Sequence, residues 1–268
     1  MFKTFLKICF VILFVAGINT SLMAANMEPA DTAPAATDDL TGSLVAGGDF
    51  SAQHMSTRGE SGDVRNAVGD VGTAPFTGIE DTHVLTTGIS LNYFIMQHLA
   101  LGLLYSYMDM SWDDKGALGT TDAGGPVSYR YQGYTIFDTL HFTATWLVYT
   151  HVVLNHPLTW FLTGGVGAGW ADSHQFNVFL GNDESRTLNP HDSGAALTWL
   201  VGTGLLMNIS DNVIVQFGVR YTDWGKYTLA TTRLVGSSVA SPLTNNPRAR
   251  FDGIAPFSAV MMRFKLFN

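Results

Sequence analysis

Residues 257–268 read FSAVMMRFKLFN, and this stretch decides the fold. Every second residue in it is apolar, namely Val260, Met262, Phe264 and Leu266. The residues between them include two cations, in the order Ala259, Met261, Arg263 and Lys265. A period of two is the geometry of a β-strand, whose side chains alternate between two faces. An apolar outer face and a polar inner face suit a transmembrane barrel strand, although an amphipathic strand of a soluble sandwich alternates in the same way.

Further segments of the chain repeat this alternation. They are Ser43–His54, Val84–Phe94, Leu99–Met108, Thr139–Thr150, Leu158–Ala171, Ala195–Met207 and Val213–Trp224. Each segment supplies about the 9–11 residues that a tilted strand needs to cross a bilayer. The polar faces consist of Gly, Ser and Thr, whereas the solvent face of a soluble sandwich carries many Lys, Glu and Arg. Small polar residues favour a barrel with a crowded polar interior.

The connections between the segments alternate in length. Short turns near 96–98, 153–157 and 210–212 alternate with long Gly/Ser/Asp-rich stretches. Outer-membrane barrels show this asymmetry. The sequence therefore predicts an all-β fold, an eight-stranded antiparallel up-and-down transmembrane β-barrel with short periplasmic turns and long extracellular loops. A ten-stranded barrel is the alternative if Tyr129–Phe137, or the loop after the seventh segment, forms extra strands.

The N-terminal region predicts export. Lys3 and Lys7 precede an apolar stretch from Ile8 to Ile18, followed by small residues, which is the pattern of a secretory signal peptide. We expect residues 1–25 to be this signal peptide, 26–41 a flexible leader, and 42–268 the outer-membrane β-barrel. Cys9 is the only cysteine and lies in the signal peptide, so the mature chain is expected to have no disulfide and no cysteine-based metal site.

Charge and motifs exclude several partners. Without Lys3 and Lys7, 12 basic residues face 22 acidic ones, a net charge of about −10, which makes nucleic acid an unsuitable partner. The eight histidines show no paired ligand spacing, so no metal site is predicted. No cofactor is predicted either.

Charged residues on the inner faces define the candidate site. Asp49, Arg220, Arg263 and Lys265 all lie on the predicted inward parity. Buried charges need partners, and we expect Asp49 to pair with Arg263 or Arg220 in a network that fills the interior. Aromatic residues near the strand ends predict two interfacial girdles: Tyr105, Tyr107, Trp170 and Tyr221 towards the loops, and Tyr93, Trp160 and Phe264 towards the turns.

Several stretches together resemble the OmpA-like and opacity-type outer-membrane barrels, a porin-like family. They are the signal peptide, the hairpin GISLNYF-IMQH-LALGLLYSY (88–107), the strand WFLTGGVGAGW (160–170) and the closing aromatic strand. The resemblance covers roughly residues 41–268. It implies insertion into the Gram-negative outer membrane by the barrel-assembly machinery. Asn268 departs from the terminal aromatic that this family uses for recognition by that machinery.

The predicted function is a structural or surface-interaction role, adhesin-like or antigen-like, with the interior plugged by side chains. A small porin that passes small solutes is the alternative. A lipid A-modifying enzyme is a remote alternative. His54 and Ser56 form a His-x-Ser pair that suits activation of a serine nucleophile, and His83 starts the adjacent strand. We expect no enzyme activity. Expected partners are outer-membrane lipid, lipopolysaccharide and, through loops such as 112–114, 181–184 and 233–250, host surface molecules.

Overall fold

A computed structural model of the chain shows a closed antiparallel β-barrel. The structure describes residues 40–63, 82–120, 125–153, 156–180, 184–190, 192–235, 239–242 and 245–266. The strands are β1 (Ser43–Asp63), β2 (Thr82–Met96), β3 (Leu99–Thr120), β4 (Pro126–Val153), β5 (His156–Leu180), β6 (Glu184–Pro190), β7 (Asp192–Ser210), β8 (Val213–Thr228), β9 (Ala230–Val235), β10 (Val239–Pro242) and β11 (Asn245–Lys265). In these residues no helix is long and apolar enough to cross a membrane.

Eight of these strands close the barrel. Their order is β1-β2-β3-β4-β5-β7-β8-β11, and β11 returns to β1 through antiparallel pairs from Ser43↔Lys265 onward. The closing stretch that the sequence singled out therefore lies between the first strand and β8. The predicted all-β, eight-stranded antiparallel barrel is confirmed.

The three shorter strands, β6, β9 and β10, extend strands of the eight-stranded barrel. β5 pairs with β7 up to Asp172↔Asp192 and continues with β6 from Phe176↔Leu188 in the same register. β6 and β7 thus follow one another along β5 in one line of the sheet, and β9 and β10 likewise prolong β8 and β11 as a hairpin. The ten-stranded alternative is wrong, because residues 129–137 belong to β4 and the region after the seventh segment forms β9, β10 and the first half of β11.

The strands are much longer than predicted. β4 has 28 residues, roughly 90 Å of chain at the usual rise per residue, against about 9–11 for a bilayer crossing. Stretches predicted as loops are largely strand: residues 112–114 lie in β3, and 233–250 fall mostly in β9, β10 and β11. Residues 181–183 lie outside the described residues, and Glu184 begins β6.

Side-chain polarity inverts along the strands, and on β4 it does so although the inward and outward parity does not change. On β4 the outward residues from Leu140 to Val148 are apolar and exposed, and the inward ones include Thr139, His141 and Thr143. Beyond Asp138 the pattern reverses: the inward residues include the buried Tyr129, Tyr131 and Phe137, and the outward ones include the exposed Arg130 and Gln132. We call the part with the short turns the lower half and the part beyond Asp138 the upper half.

The upper half is built like a soluble β-barrel around an apolar core. This upper core consists of Met55, Val84, Met108, Met110, Trp112, Tyr129, Tyr131, Phe137, Ala171, Trp224, Tyr227, Leu229, Ala230, Ala249 and Phe251. Phe137 lies at its centre, with ring-centroid distances of 4.7 Å to Phe251 and 5.5 Å to Tyr227. The inner faces of long strands thus meet each other instead of enclosing solvent.

Candidate functional site

The interior of the lower half contains a polar layer between two apolar ones. The lower apolar layer consists of Leu40, Val45, Phe94, Ala100, Leu147, Phe161, Leu206, Ile214, Phe257, Ala259 and Met261. β1 and β8 pass through the layers in the same order from bottom to top. On β1, Val45 is followed by Asp49, Ser51 and Gln53 and then by Met55; β8 runs from Ile214 through Arg220 to Trp224. The polar layer therefore has an apolar layer below it and the upper core above it.

The polar layer holds a buried ion pair. Arg220 Nη1 on β8 donates to Asp49 Oδ2 on β1 at 2.5 Å, and the two side chains are 5% and 4% exposed. The guanidinium also lies over the Phe257 ring, 5.1 Å from its centroid. Gly88 faces Asp49 on the neighbouring strand, and a Cβ there would lie 2.5 Å from Asp49 Oδ1. A glycine is therefore needed beside the carboxylate.

Several polar atoms of this layer have no protein partner within the described part of the chain. They include Asp49 Oδ1, Arg220 Nε and both ring nitrogens of His141. A cavity of about 50 Å³ adjoins the pair and is lined by Asp49, Arg220, Asn92, Thr143, Thr163 and Gln216, among others. Such a volume has room for roughly three water molecules, since a cavity of 10–15 Å³ holds one. Water molecules in this cavity can thus provide hydrogen-bond partners for Asp49 Oδ1 and Arg220 Nε.

The other two predicted interior cations lie elsewhere. Arg263 is 3% exposed, and its Nε donates to Ser43 Oγ at 3.1 Å, below the polar layer. Lys265 is exposed at the lower end of β11. The structure thus brings Asp49 and Arg220 together, but it does not bring Arg263 or Lys265 to Asp49.

Hydrogen bonds and ring contacts close the polar layer from above. Trp224 Nε1 donates to Gln53 Oε1 at 2.8 Å, and the Tyr227 hydroxyl donates to the Trp224 carbonyl oxygen at 2.6 Å. Burial, together with the nearby charge of Asp223, raises the pKa of Tyr227 above its ordinary value. The Trp224 ring also lies 6.3 Å from Phe137, which joins this closure to the upper core.

All seven predicted girdle aromatics lie on the outward parity. The clearly exposed ones are Tyr93, Tyr105, Trp160, Trp170 and Phe264, between 37% and 48% exposed. Tyr107 and Tyr221 are partly exposed. The predicted girdles leave out three further outward, exposed Trp and Tyr residues, Trp146, Tyr149 and Trp199. Trp146 and Trp199 lie on the outward parity of their predicted segments, so the pattern contained the signal for them.

Charged groups lie on the outer wall directly above the upper aromatics, and the sequence prediction missed their arrangement. The Asp223 side chain is buried and accepts hydrogen bonds from Trp199 Nε1 at 3.0 Å and from Arg250 Nε at 3.1 Å. Tyr221 donates to Asp252 Oδ2 at 3.0 Å, and Tyr105 donates to Asp138. A carboxylate on the outward parity two residues from the last apolar outward residue of a segment, as Asp138 is from Leu140 and Asp252 from Ile254, is the sequence signal that could have found such pairs.

The residues of the enzyme alternative share one outer face. The rings of His54 and His83, which are cross-strand neighbours, lie 4.9 Å apart. Ser56 is the next outward residue on β1, opposite Asp252. Among the described residues, no group of three or more metal-ligating side chains is found.

Comparisons with known proteins identify only distant structural neighbours. No family model and no curated protein matches the chain. Among solved structures, Neisserial surface protein A is 16% identical with a TM-score of 0.39 and covers 84% of this chain and 98% of its own. The outer membrane protein OprG from Pseudomonas aeruginosa is 12% identical, with a TM-score of 0.45 and coverage of 85% and 98%.

A third neighbour is the outer membrane protease OmpT from Escherichia coli, 9% identical with a TM-score of 0.47, covering 88% of this chain and 99% of its own. At such identities and TM-scores these neighbours do not assign a function to this chain. The barrel is established by the chain's own strand pairing. The narrower resemblance to OmpA-like and opacity-type barrels stays a prediction.

Proposed function

We propose that this chain is a non-conducting barrel of the Gram-negative outer membrane, with a structural or surface-interaction role. The observation that carries the proposal is the inversion of polarity along the strands. Among the described residues, the exposed large apolar side chains face outward in the lower half, and apolar side chains fill the interior above and below the polar layer. The first feature supports membrane insertion, and the second supports a plugged interior.

The dimensions of the outward apolar surface support a bilayer crossing. On β4 it extends from Leu140 to Val148, which covers roughly 22 Å of height for a strand tilted by about 40°. Outer-membrane barrels carry an apolar band about 25 Å tall between aromatic girdles. Here Tyr105, Tyr107 and Trp170 follow its upper edge, and Tyr93 and Phe264 lie near its lower edge.

The closed interior favours a structural barrel over a small porin. A solute path requires a continuous polar channel, whereas the polar layer here is enclosed by the lower apolar layer and the upper core. The ion pair then stabilises the interior rather than selecting solutes. In the proposed role Asp49 and Arg220 hold β1 against β8 across the interior.

The upper half supplies the surface for interaction. β4 residues 126–137 extend the wall roughly 30 Å beyond the apolar band. The outward side chains there are polar, as on a soluble protein, so this wall and its hairpins are the part available to host surface molecules. Cell adhesion measured with the 230–242 hairpin replaced by a short turn tests this role. Unchanged adhesion for this and every other hairpin replacement would contradict it.

Single-channel recording of the refolded protein tests the plugged interior. The native chain is expected to show no stable openings. The double variant Asp49→Ala/Arg220→Ala is expected to stay closed as well, because the two apolar layers are unchanged. Stable openings of the native chain would instead establish the small-porin alternative. An unchanged lipid A mass spectrum in a strain lacking the protein is the matching expectation for a non-enzymatic role.

A further inference from the structure

We propose that the outer wall of the upper half, on β8, β11 and β1, binds the phosphate groups of the phosphorylated glycolipid in the outer leaflet. The site is the basic row formed by Arg58, Arg250 and Lys226. This inference rests on the proposed membrane position of the barrel and adds a ligand and a site to it. The ligand class is a phosphorylated lipid headgroup.

Strand pairing places the three cations side by side. Arg58 on β1 is the direct partner of Arg250 on β11, and Arg250 is the direct partner of Lys226 on β8. All three side chains are exposed. A fourth exposed cation, Arg248, lies two residues before Arg250 on β11. Like charges that face each other across strands are destabilising. A phosphate bound along the row would lower the repulsion between these neighbouring cations, although the chain as a whole is acidic, with a formal net charge of −8.

Arg250 is held in place by a carboxylate that is not available to a ligand. Asp223 is buried and accepts both Arg250 Nε and Nη2 on its Oδ2 oxygen. Its other oxygen accepts the backbone N–H of Gly225, whose φ of +100° makes the bulge that turns Asp223 towards Arg250. The Arg250 side chain nevertheless stays 48% exposed. A guanidinium that is fixed and half exposed suits phosphate, which it can bind through parallel N–H donors.

The height of the row matches a lipid headgroup. Tyr221, Ile254 and His54 form the outward row at the top of the apolar band, four residues below Arg250 on β11. Four residues of a strand tilted by about 40° correspond to roughly 10 Å of height. The polar headgroup region extends several ångströms beyond the hydrocarbon core. Asp252, the acidic residue between the two rows, accepts a hydrogen bond from the Tyr221 hydroxyl.

The opposite wall at this height has the reverse charge. On β3, β4 and β5 the outward residues include Asp109, Asp113, Asp138 and Asp172. Arg130, an exposed cation of that wall, is paired with Asp113, with Nε donating at 2.8 Å, and this bond raises the pKa of Arg130 above its ordinary value. Phosphate groups are therefore attracted to one side of the barrel and repelled from the other.

The test compares the thermal stability of the full chain in two lipids. The protein is refolded into phosphatidylcholine vesicles containing either bis-phosphorylated lipid A or the same lipid A with its phosphates removed. The phosphorylated form is expected to raise the apparent Tm of the native chain. The double variant Arg58→Gln/Lys226→Gln leaves the Arg250–Asp223 pair intact and is expected to lose more than half of this shift.

A matched control removes equal charge elsewhere. The double variant Arg130→Gln/Lys265→Gln, on the opposite wall and at the lower end, is expected to keep the whole shift. Three outcomes overturn the inference: an equal shift in the basic-row variant, an equal shift with dephosphorylated lipid A, or the same shift from inorganic phosphate alone. Proteolytic protection of the lower half reports insertion separately, so failure to insert overturns the proposed function, and insertion without a phosphate-dependent shift overturns only this site.

Discussion

The lower and upper halves of this barrel are made by the same strands, yet the polarities of their inward and outward faces are opposite. In the lower half Phe142 and Trp146 face outward and His141 faces inward; in the upper half Arg130 faces outward and Tyr131 inward. The backbone alone sets which residues share a face. The surroundings decide which chemistry each face needs, so in the proposed membrane position the residue pattern marks the boundary between lipid and water.

The largest expected effect comes from removing one aromatic ring. Phe137→Ala empties a position in the upper core and is expected to cost about 3–5 kcal/mol of unfolding free energy, because the ring is fully buried. Phe142→Ala, on the outward face of the same strand, is expected to cost less, about 1.5–3 kcal/mol, because its ring leaves water for lipid but its removal leaves no cavity. Urea unfolding in vesicles measures both. Equal costs would show that the upper half has no packed core of its own.

Breaking the ion pair tests the polar layer of the lower half. Asp49→Ala leaves the Arg220 guanidinium buried without its partner and is expected to destabilise by about 3–5 kcal/mol. The double variant Asp49→Ala/Arg220→Leu is expected to recover much of that loss, because no uncompensated charge stays in the interior. The same unfolding experiment compares the two. A double variant as unstable as the single one would mean that the pair itself, rather than the orphaned charge, dominates.

A charge placed on the outward face distinguishes the halves in the opposite sense. Phe142→Arg puts a cation into the apolar band and is expected to cost about 2–4 kcal/mol. Gln132→Arg, on the same face ten residues away in the upper half, is expected to change stability by about 0.5 kcal/mol or less. Refolding yield and unfolding free energy in vesicles of defined thickness give both values. A large cost at position 132 would move the membrane boundary upward.

The smallest expected effect on stability comes from Tyr227, whose hydrogen bond to Trp224 closes the polar layer from above. Because burial raises the pKa of Tyr227, the folded state favours its neutral hydroxyl. The stability that this group contributes is complete below its ordinary pKa of 10 and is lost as the pH rises above it. Tyr227→Phe removes one buried hydrogen bond, about 1 kcal/mol at neutral pH. Its Tm is expected to fall less steeply than that of the native chain above pH 10; parallel curves would contradict this assignment.

The sequence was sufficient to predict the barrel and two of the four charged residues of the predicted interior site, Asp49 and Arg220. The alternation in residues 257–268 predicted the parity that places Met262 and Phe264 outward and Arg263 inward. Inward parity also selected Asp49 and Arg220 before any contact was known. Arg263 could not be assigned in this way, because parity fixes a face but not the height at which a long side chain ends.

The strand lengths could not be predicted, for a physical reason. The expected third and fourth segments stopped at Met108 and began at Thr139, where outward residues cease to be apolar. The chain continues as strand beyond both points, but a search for apolar outward residues ends where water replaces lipid. The Asp223–Arg250 contact was missed because it depends on the bulge at Gly225 and on register between β8 and β11.

Site-specific labelling along β4 tests the inversion most directly. The only natural cysteine is Cys9, within the predicted signal peptide, so Phe142→Cys, Gln132→Cys and Thr143→Cys each place a single thiol in the mature chain. In vesicles, a fluorophore on position 142 is expected to be quenched by brominated lipid and the thiol at 132 to react with a water-soluble maleimide, with position 143 protected from both. Equal lipid quenching at 132 and 142, or equal maleimide reactivity, would contradict a membrane boundary near Asp138.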